Sequence, residues 1–403
     1  VVFSPYYPLS EDIKSINTKA DWKPVIHSAR DIYDQKFMVH GSAFQVLYSM
    51  DKCSEKTILA RLQAPEEQNL FSSLKKPYLF LNPMLLDACA QLLGYWAQVN
   101  LDEGFITFPR EVENIQFYTE PPKAKEILTC MMWVKEVNHH FVIGDLEIIK
   151  SDGKLWAKIS GWIQRRFRLP VELYKFWKFP QNIIISQKWE IIKAKLPEST
   201  QSFCFRTEYY SELNNTIWKK AIAYLYLNKS ERMIYNKKLS VNTVRANQWL
   251  GGRMAAKDAI RALLNKVYGI TLYPADIEIL HDTNGRPIPE GIWKKEVEKL
   301  PLLSISHTDE FAVAITTLSD KIIGQGIDIQ KIEERGIEFE KEAFSQDELK
   351  ILNDFKGYSK TEWITRFWCA KESAGKALGY GLTYGPKTIM VIHFDIQTGI
   401  IYR

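Results

Sequence analysis

Residue patterning over the 403-residue chain predicts an α+β fold in two units. The first is an antiparallel sheet wrapped round one buried helix, and the second is a mixed α/β unit. Three observations carry this. Strand-like runs crowd the first part around a single apolar helix, a Pro-punctuated basic stretch follows, and the remainder alternates helices with short strands.

In chain order, Phe44–Met50, Thr57–Leu62, Ile115–Tyr118, Ile127–Val134, Phe141–Ile149 and Leu155–Phe167 are rich in β-branched and aromatic residues. Several of them alternate, the period of a half-buried strand. Gly144-Asp145 and Asp152-Gly153 supply turns, the second between two strand-like runs as a hairpin requires. Pro83–Gln98 opens on Pro and carries apolar residues at helical spacing, so it reads as a largely buried helix. Between residues 168 and 203, Arg168-Leu-Pro, Lys178-Phe-Pro-Gln and Leu196-Pro-Glu-Ser-Thr break the pattern. Residues 151–200 also hold ten Lys/Arg against four Asp/Glu, as a solvated connector does. The expected organisation is a domain at 1–175, a linker at 176–199 with the boundary around Pro197, and a domain at 200–403. Within the last, Val244–Tyr268 reads as a long helix. Leu302–Ser306, Phe311–Thr316 and Ile322–Ile329 read as strands, and Asp347–Phe355 and Thr361–Leu378 as helices, the latter capped by Gly379.

Composition narrows the function. A net charge of +5 gives no argument for nucleic acid. Five scattered cysteines without a Cys-x-x-Cys argue against a disulfide framework or structural zinc, and fit a reducing cytoplasm. The longest charge-free stretch, near Leu85, is broken by Asp87, so neither a spanning helix nor a signal peptide is expected. The opening Val-Val-Phe reads as a fragment of something longer, or as a processed product.

The chemistry gathers in the C-terminal part. Asn284-Gly-Arg-Pro287 is a turn presenting a cation. Ser304-Ile-Ser-His-Thr308 leads through a strand to Gly326-Ile-Asp-Ile-Gln330, and Trp368-Cys-Ala-Lys-Glu-Ser-Ala-Gly-Lys376 lies on a helix. Asp328 sits in an apolar run, where a lone carboxylate is costly unless paired or metal-bound. Glu372 supplies a second carboxylate. Two carboxylates with waters and substrate phosphates are how proteins usually hold Mg²⁺. Lys376, one turn beyond Glu372, together with His307 and Arg286, then makes a diphosphate pocket. Singly, each residue has a plainer reading: a structural histidine, a helical salt bridge, a strand end. Their combination favours the phosphate site. Arg232, Arg245 and Arg253 read equally as a solvated basic face.

These four segments, in this order over residues 200–403, resemble the surfactin-type 4′-phosphopantetheinyl transferases. The resemblance implies a pseudo-dimeric α/β domain whose halves split near Leu300 and meet at a coenzyme A cleft. It implies transfer of phosphopantetheine from CoA to a serine of an apo acyl carrier protein, leaving 3′,5′-ADP. Asp328 and Glu372 would ligate Mg²⁺, with Glu372 also activating the carrier serine. Lys376 and His307, which follows Ser306 in the Ser-x-Ser-His strand, would hold the phosphates. Arg286 would sit near the nucleotide, with Arg232 and Arg253 as further CoA-binding candidates. Glu348, in Phe344-Ser-Gln-Asp-Glu348, is a second candidate base. Gln330 departs from the acidic third ligand of many relatives, which implies weaker metal affinity. Cys369 is read as packing.

His40-Gly-Ser-Ala-Phe-Gln45 and Asn82-Pro-Met-Leu-Leu-Asp-Ala-Cys-Ala-Gln91 are similar to the second hot-dog half of polyketide synthase dehydratases, over about residues 30–170. That implies Asp87 as the catalytic acid, with Gln91 on the same helix face. The family's partner histidine belongs to a first half, and His27, His40, His139 and His140 all lack its motif context. An upstream half cut away, or a degenerate domain, is therefore expected. The fusion resembles the C-terminus of enediyne-type iterative polyketide synthases. Partners implied are CoA, an apo carrier domain and other synthase domains. The alternatives are a working dehydratase, or a non-catalytic CoA- or carrier-docking module.

Overall fold

The computed structural model describes residues 6–9, 21–66, 73–74, 79, 81–101, 104–189, 197, 199–206, 216–396 and 401–402. The opening Val-Val-Phe and the Leu196 and Glu198 of the expected connector lie outside them. The chain divides into two compact units, Val1–Lys178 and Phe179–Arg403.

In the first unit, a short helix α1 (Ala29–Asp34) precedes β1 (Leu47–Cys53) and β2 (Thr57–Gln63). Then come α2 (Pro83–Asn100), β3 (Phe105–Phe117), β4 (Ile127–Val137), β5 (Phe141–Ile149), β6 (Leu155–Arg168) and α3 (Val171–Lys178). The strands form one antiparallel sheet in the order β1-β2-β4-β5-β6-β3. α2 starts because Asn82 caps it, its side chain accepting from the Met84 and Leu85 amides, with Pro83 at the first helical position. Its Leu85, Ala88, Cys89, Leu92 and Leu93 are buried against Ile58, Leu62, Leu128 and Met132 of the sheet. This is the sheet-around-helix arrangement the patterning predicts, a hot-dog fold.

Two expectations change. β3 is far longer than Ile115–Tyr118, because an edge strand with largely exposed charges lacks the apolar alternation that betrays its neighbours. Gly144 is no turn. It lies inside β5, next to a bulge, where an added Cβ would meet Leu93 Cδ1 and the Trp133 carbonyl oxygen at 3.1 Å. The Asp152-Gly153 hairpin does form, with Gly153 at φ +83°.

The second unit comprises β7 (Gln187–Lys188), β8 (Thr200–Arg206), α4 (Thr216–Tyr226), α5 (Lys229–Val241) and α6 (Thr243–Tyr268). These are followed by β9 (Glu278–His281), β10 (Pro287–Glu290), β11 (Leu302–His307), β12 (Phe311–Thr317), α7 (Ile337–Ala343), α8 (Gln346–Asn353), α9 (Gly357–Leu378), β13 (His393–Phe394) and β14 (Ile401–Tyr402). The central sheet runs β11-β12-β8-β7, so β8, from before Leu300, pairs with β12, from beyond it. α6 packs on this sheet through a fully buried run that includes Leu250, Met254, Ala255 and Ile260. Residues 180–188, within the expected connector, pack on this unit. Arg261 donates to the carbonyls of Pro180, Gln181 and Ile183, and the Ser186 amide donates to the buried Asp258.

Ile322–Ile329 is not a strand. It runs beside β11, but its amides bond to side chains in place of a backbone ladder. Ser304 Oγ accepts from the Ile327 N–H at 3.1 Å, and Gln325 Nε2 donates to the Leu302 and Ile315 carbonyls. On its other side the segment lies flush on α9. A Cβ at Gly324 would come within 2.0 Å of the Ala377 carbonyl oxygen, and one at Gly326 within 1.8 Å of that of Ser373. Neither obstacle is a flexible side chain. Gly326→Ala should therefore cost at least about 1–3 kcal/mol and lower the melting transition of this unit in calorimetry by roughly 4 °C or more. An unchanged transition would refute the close approach.

Candidate functional site

The second unit brings several of the expected residues to one place. Asp328, its side chain only 3% exposed, receives Lys376 Nζ at 2.7 Å, Ser306 Oγ at 2.7 Å and Gln330 Nε2 at 3.1 Å. Lys376 also donates to the Ile327 carbonyl at 3.0 Å, which ties the helix to the extended segment. Glu372 stands one turn before Lys376. Burial and then the facing charge of Asp328 push its carboxyl above the usual carboxylate range, against a smaller opposing effect of Lys376. Two carboxylates repelling one another in a half-buried seam are a donor set a hard divalent cation relieves, while Gln330 turns its Nε2 to Asp328 and its Oε1 to Arg335. The carboxylates fit Mg²⁺, which binds through one or two carboxylates plus waters and phosphate oxygens. Among the described residues no group of three or more His, Cys, Asp and Glu gathers for a metal.

Basic side chains surround this seam. His307 ends β11, and partial burial and then Lys376, with smaller contributions from Arg253 and Lys238, push its imidazole below the ordinary value. Arg286 belongs to the β9–β10 turn, held by Asp282, whose carboxylate accepts its backbone amide at 2.8 Å and its Nε at 3.2 Å. Its guanidinium lies beside Gly379 at the end of α9, and it shares a cavity of about 190 Å³ with Lys376.

Other expected residues have structural partners of their own. Arg253 is buried, donating to the Ile279 carbonyl at 3.3 Å, 3.7 Å from Glu231 and stacked on Trp249, and burial lowers its pKa to about 10. It helps bind α5, α6 and β9 together with the buried Glu231–Lys257 pair. Arg232 lies over the Tyr224 ring and donates to the Leu227 carbonyl, capping the end of α4.

Glu348 is held by a buried network of its own. It is buried, with its oxygens taken by Lys371 Nζ at 2.8 Å, the Ser345 amide at 2.7 Å and the Val391 amide at 2.9 Å. Such a carboxylate serves as a capping-box residue and ion-pair anchor. Glu348→Ala would strand the buried Lys371 and cost about 3–5 kcal/mol, readable as a fall in the denaturant midpoint. A catalytic base would show lost turnover at unchanged stability.

Sequence reasoning missed two participants. Arg335 Nη2 donates to Gln330 Oε1 at 3.3 Å and orients that amide toward Asp328. Cys369 hydrogen-bonds Asp328, and burial with that neighbouring charge pushes its thiol up to about 12, so it stays protonated and inert as a nucleophile. The Ser-x-Ser spacing held the signal for Ser306, since both hydroxyls fall on one strand face.

In the first unit Asp87 accepts from Gln91 Nε2 at 2.7 Å, as the helical spacing implies, and lies 3.2 Å from His40 Nε2.

Two families of known proteins match parts of the chain, one within each unit. Residues 25–170 match the model of the polyketide synthase dehydratase N-terminal domain, and residues 324–402 that of the 4′-phosphopantetheinyl transferase superfamily. The first description differs from the second hot-dog half that the motifs imply. A holo-[acyl-carrier-protein] synthase of Exiguobacterium sibiricum is 29% identical over 86 residues, 21% of this chain and 64% of that protein. One from Bacillus cereus is 35% identical over 92 residues, 23% of this chain and 71% of that protein. The chain thus spans just under two thirds of the first of these relatives. A Bacillus anthracis holo-(acyl-carrier-protein) synthase structure in complex with CoA (3′,5′-ADP) is 25% identical, covering 30% of this chain and 93% of that one at a TM-score of 0.24.

Proposed function

The chain belongs, through its C-terminal unit, to the 4′-phosphopantetheinyl transferase superfamily, and from that premise we propose that it moves 4′-phosphopantetheine from coenzyme A to a serine of an apo acyl carrier protein or domain. The observation that carries the reading is the convergence of Asp328, Glu372 and Lys376 on one seam, ringed by His307 and Arg286.

In this reading Asp328 and Glu372 hold Mg²⁺, with Gln330 beside them, and the ion supplies positive charge at the pyrophosphate of CoA. Lys376 and Arg286 neutralise phosphate oxygens as charge builds on the bridging oxygen, and His307 donates a hydrogen bond to them. The carrier serine oxygen bonds to the β-phosphorus, the P–O bond to the α-phosphate breaks, and 3′,5′-ADP leaves. Glu372 takes the serine proton, directly or through water. The dehydratase-like first unit supports a polyketide synthase as the setting and its carrier domain as the acceptor. A covalent link of that kind raises the effective concentration of the acceptor. No helix among the described residues is long and apolar enough to cross a membrane.

Intact-mass spectrometry of an apo carrier incubated with this chain, CoA and Mg²⁺ tests the proposal. The carrier should gain one phosphopantetheine group, and chelation should abolish the gain. Asp328→Ala and Glu372→Ala should each lower the rate by about 10²–10³-fold or more with circular dichroism unchanged. Wild-type rates in both would overturn the assignment. Gln330→Glu adds an anionic donor, so the Mg²⁺ concentration giving half-maximal rate should fall.

A further inference from the structure

One atom of the acidic seam stands where a metal ligand would, yet it is the wrong element. Asp328 Oδ1 receives both Ser306 and Lys376, and Oδ2 is the oxygen that Gln330 faces. Gln330 Nε2 lies 3.1 Å from that Oδ2. Adjacent oxygens around an octahedral Mg²⁺, bound at 2.0–2.1 Å, stand about 2.9 Å apart. Position 330 is thus at a suitable separation to share a cation with Asp328. The group it presents is an amide –NH₂, which offers two donors and no acceptor.

The orientation of that amide is set from its other end. Arg335 Nη2 donates to Gln330 Oε1 at 3.3 Å. Exchanging the two ends would set an oxygen against the Asp328 carboxylate and an –NH₂ against the guanidinium. Only one orientation therefore satisfies both neighbours. Arg335 is itself held in place. Its guanidinium carbon lies 4.6 Å from the centre of the Phe339 ring, and Phe339 meets Trp368 of α9 edge-on at 5.0 Å. Helix α9 also carries Glu372 and Lys376, so the clamp and the seam share one frame.

We infer that Arg335 is a positioning residue, which withholds the Gln330 oxygen from the divalent cation of Asp328 and Glu372 and leaves that coordination position to water. The inference rests on the reading of those two carboxylates as Mg²⁺ ligands. With two protein oxygens and no third, the ion is held more loosely and depends on oxygens brought by the substrate phosphates. Once the clamp is released, the amide turns about its terminal bond and puts Oε1 where Nε2 now stands. An oxygen at that point suits a hard cation.

Mn²⁺ is the probe, since it takes octahedral oxygen sites as Mg²⁺ does. Electron paramagnetic resonance of the intact chain counts the free ion, and broadening by oxygen-17 water counts the waters on the bound one. Carrier protein and CoA are both left out, so the reading is independent of group transfer. Arg335→Met keeps a side chain over Phe339 and removes the clamp. Lost guanidinium charge alone tightens cation binding equally whether or not Gln330 is present. Arg335→Met should therefore lower the Mn²⁺ dissociation constant about threefold or more beyond its effect in a Gln330→Ala background. It should also remove one water from the bound ion only where Gln330 remains, with circular dichroism unchanged throughout. Equal tightening in both backgrounds, or an unchanged water count, would overturn the inference. Absence of any Mn²⁺ binding that Asp328→Ala abolishes would overturn it together with the metal reading. A carrier that gains no phosphopantetheine, when the coupling and the lost water are both found, would uphold the inference and fault the transferase reading alone.

Discussion

The candidate transferase site depends on one close approach, that of the 324–328 backbone to helix α9. Asp328 comes from an extended segment, whereas Glu372 and Lys376 come from the helix. They meet because Gly324 and Gly326 let carbonyl oxygens of the helix lie where side chains would otherwise stand. Gly375 repeats the device one layer on, where a Cβ would fall within 2.4 Å of the Gly381 carbonyl oxygen. Without these contacts the carboxylates would separate by the width of a side chain, and the electrostatics of the seam would weaken with distance.

Buried ion pairs then hold the surrounding helices. Glu231 with Lys257 and Arg253 joins α5, α6 and β9, and Glu348 with Lys371 joins α8 to α9. Burial pulls Lys257 down to about 8 although Glu231 opposes it, the mark of a charge kept for position at a desolvation penalty. In the first unit the Tyr33–Gln91–Asp87 chain does the comparable work with mostly neutral groups.

The order of elements was legible wherever burial imposed a period. α2 needed little beyond Pro83 and an apolar stripe, and α6 ends at Gly269 in the left-handed region. β3 was foreshortened because its exposed middle, from Phe108 to Glu111, shows no apolar period. The Asp328 segment was taken for a strand because Gly-Ile-Asp-Ile alternates, and alternation does not reveal whether the amides bond to a backbone or to serine hydroxyls. At the site, Asp328, Ser306 and Lys376 were readable as motif residues. Glu348 carried the same motif weight, yet its role follows from a capping box and from Lys371, 23 residues away. His40 was dismissed on motif context, and only the fold shows it beside Asp87.

Strands in a ladder share one register, and a slip of a single residue turns every side chain to the opposite face. The Asp328 segment is pinned differently, at two points: Ser304 Oγ takes the Ile327 amide, and Ser306 Oγ takes the Ile329 amide at 3.4 Å while giving its own proton to Asp328. Matching two-residue spacings on each side set the phase locally. The connection from β12, residues 318–323, therefore has no say in which way the carboxylate points. Insertions there are insulated from the chemistry, and the chain has latitude to lengthen or recompose that loop while the acidic seam keeps its geometry.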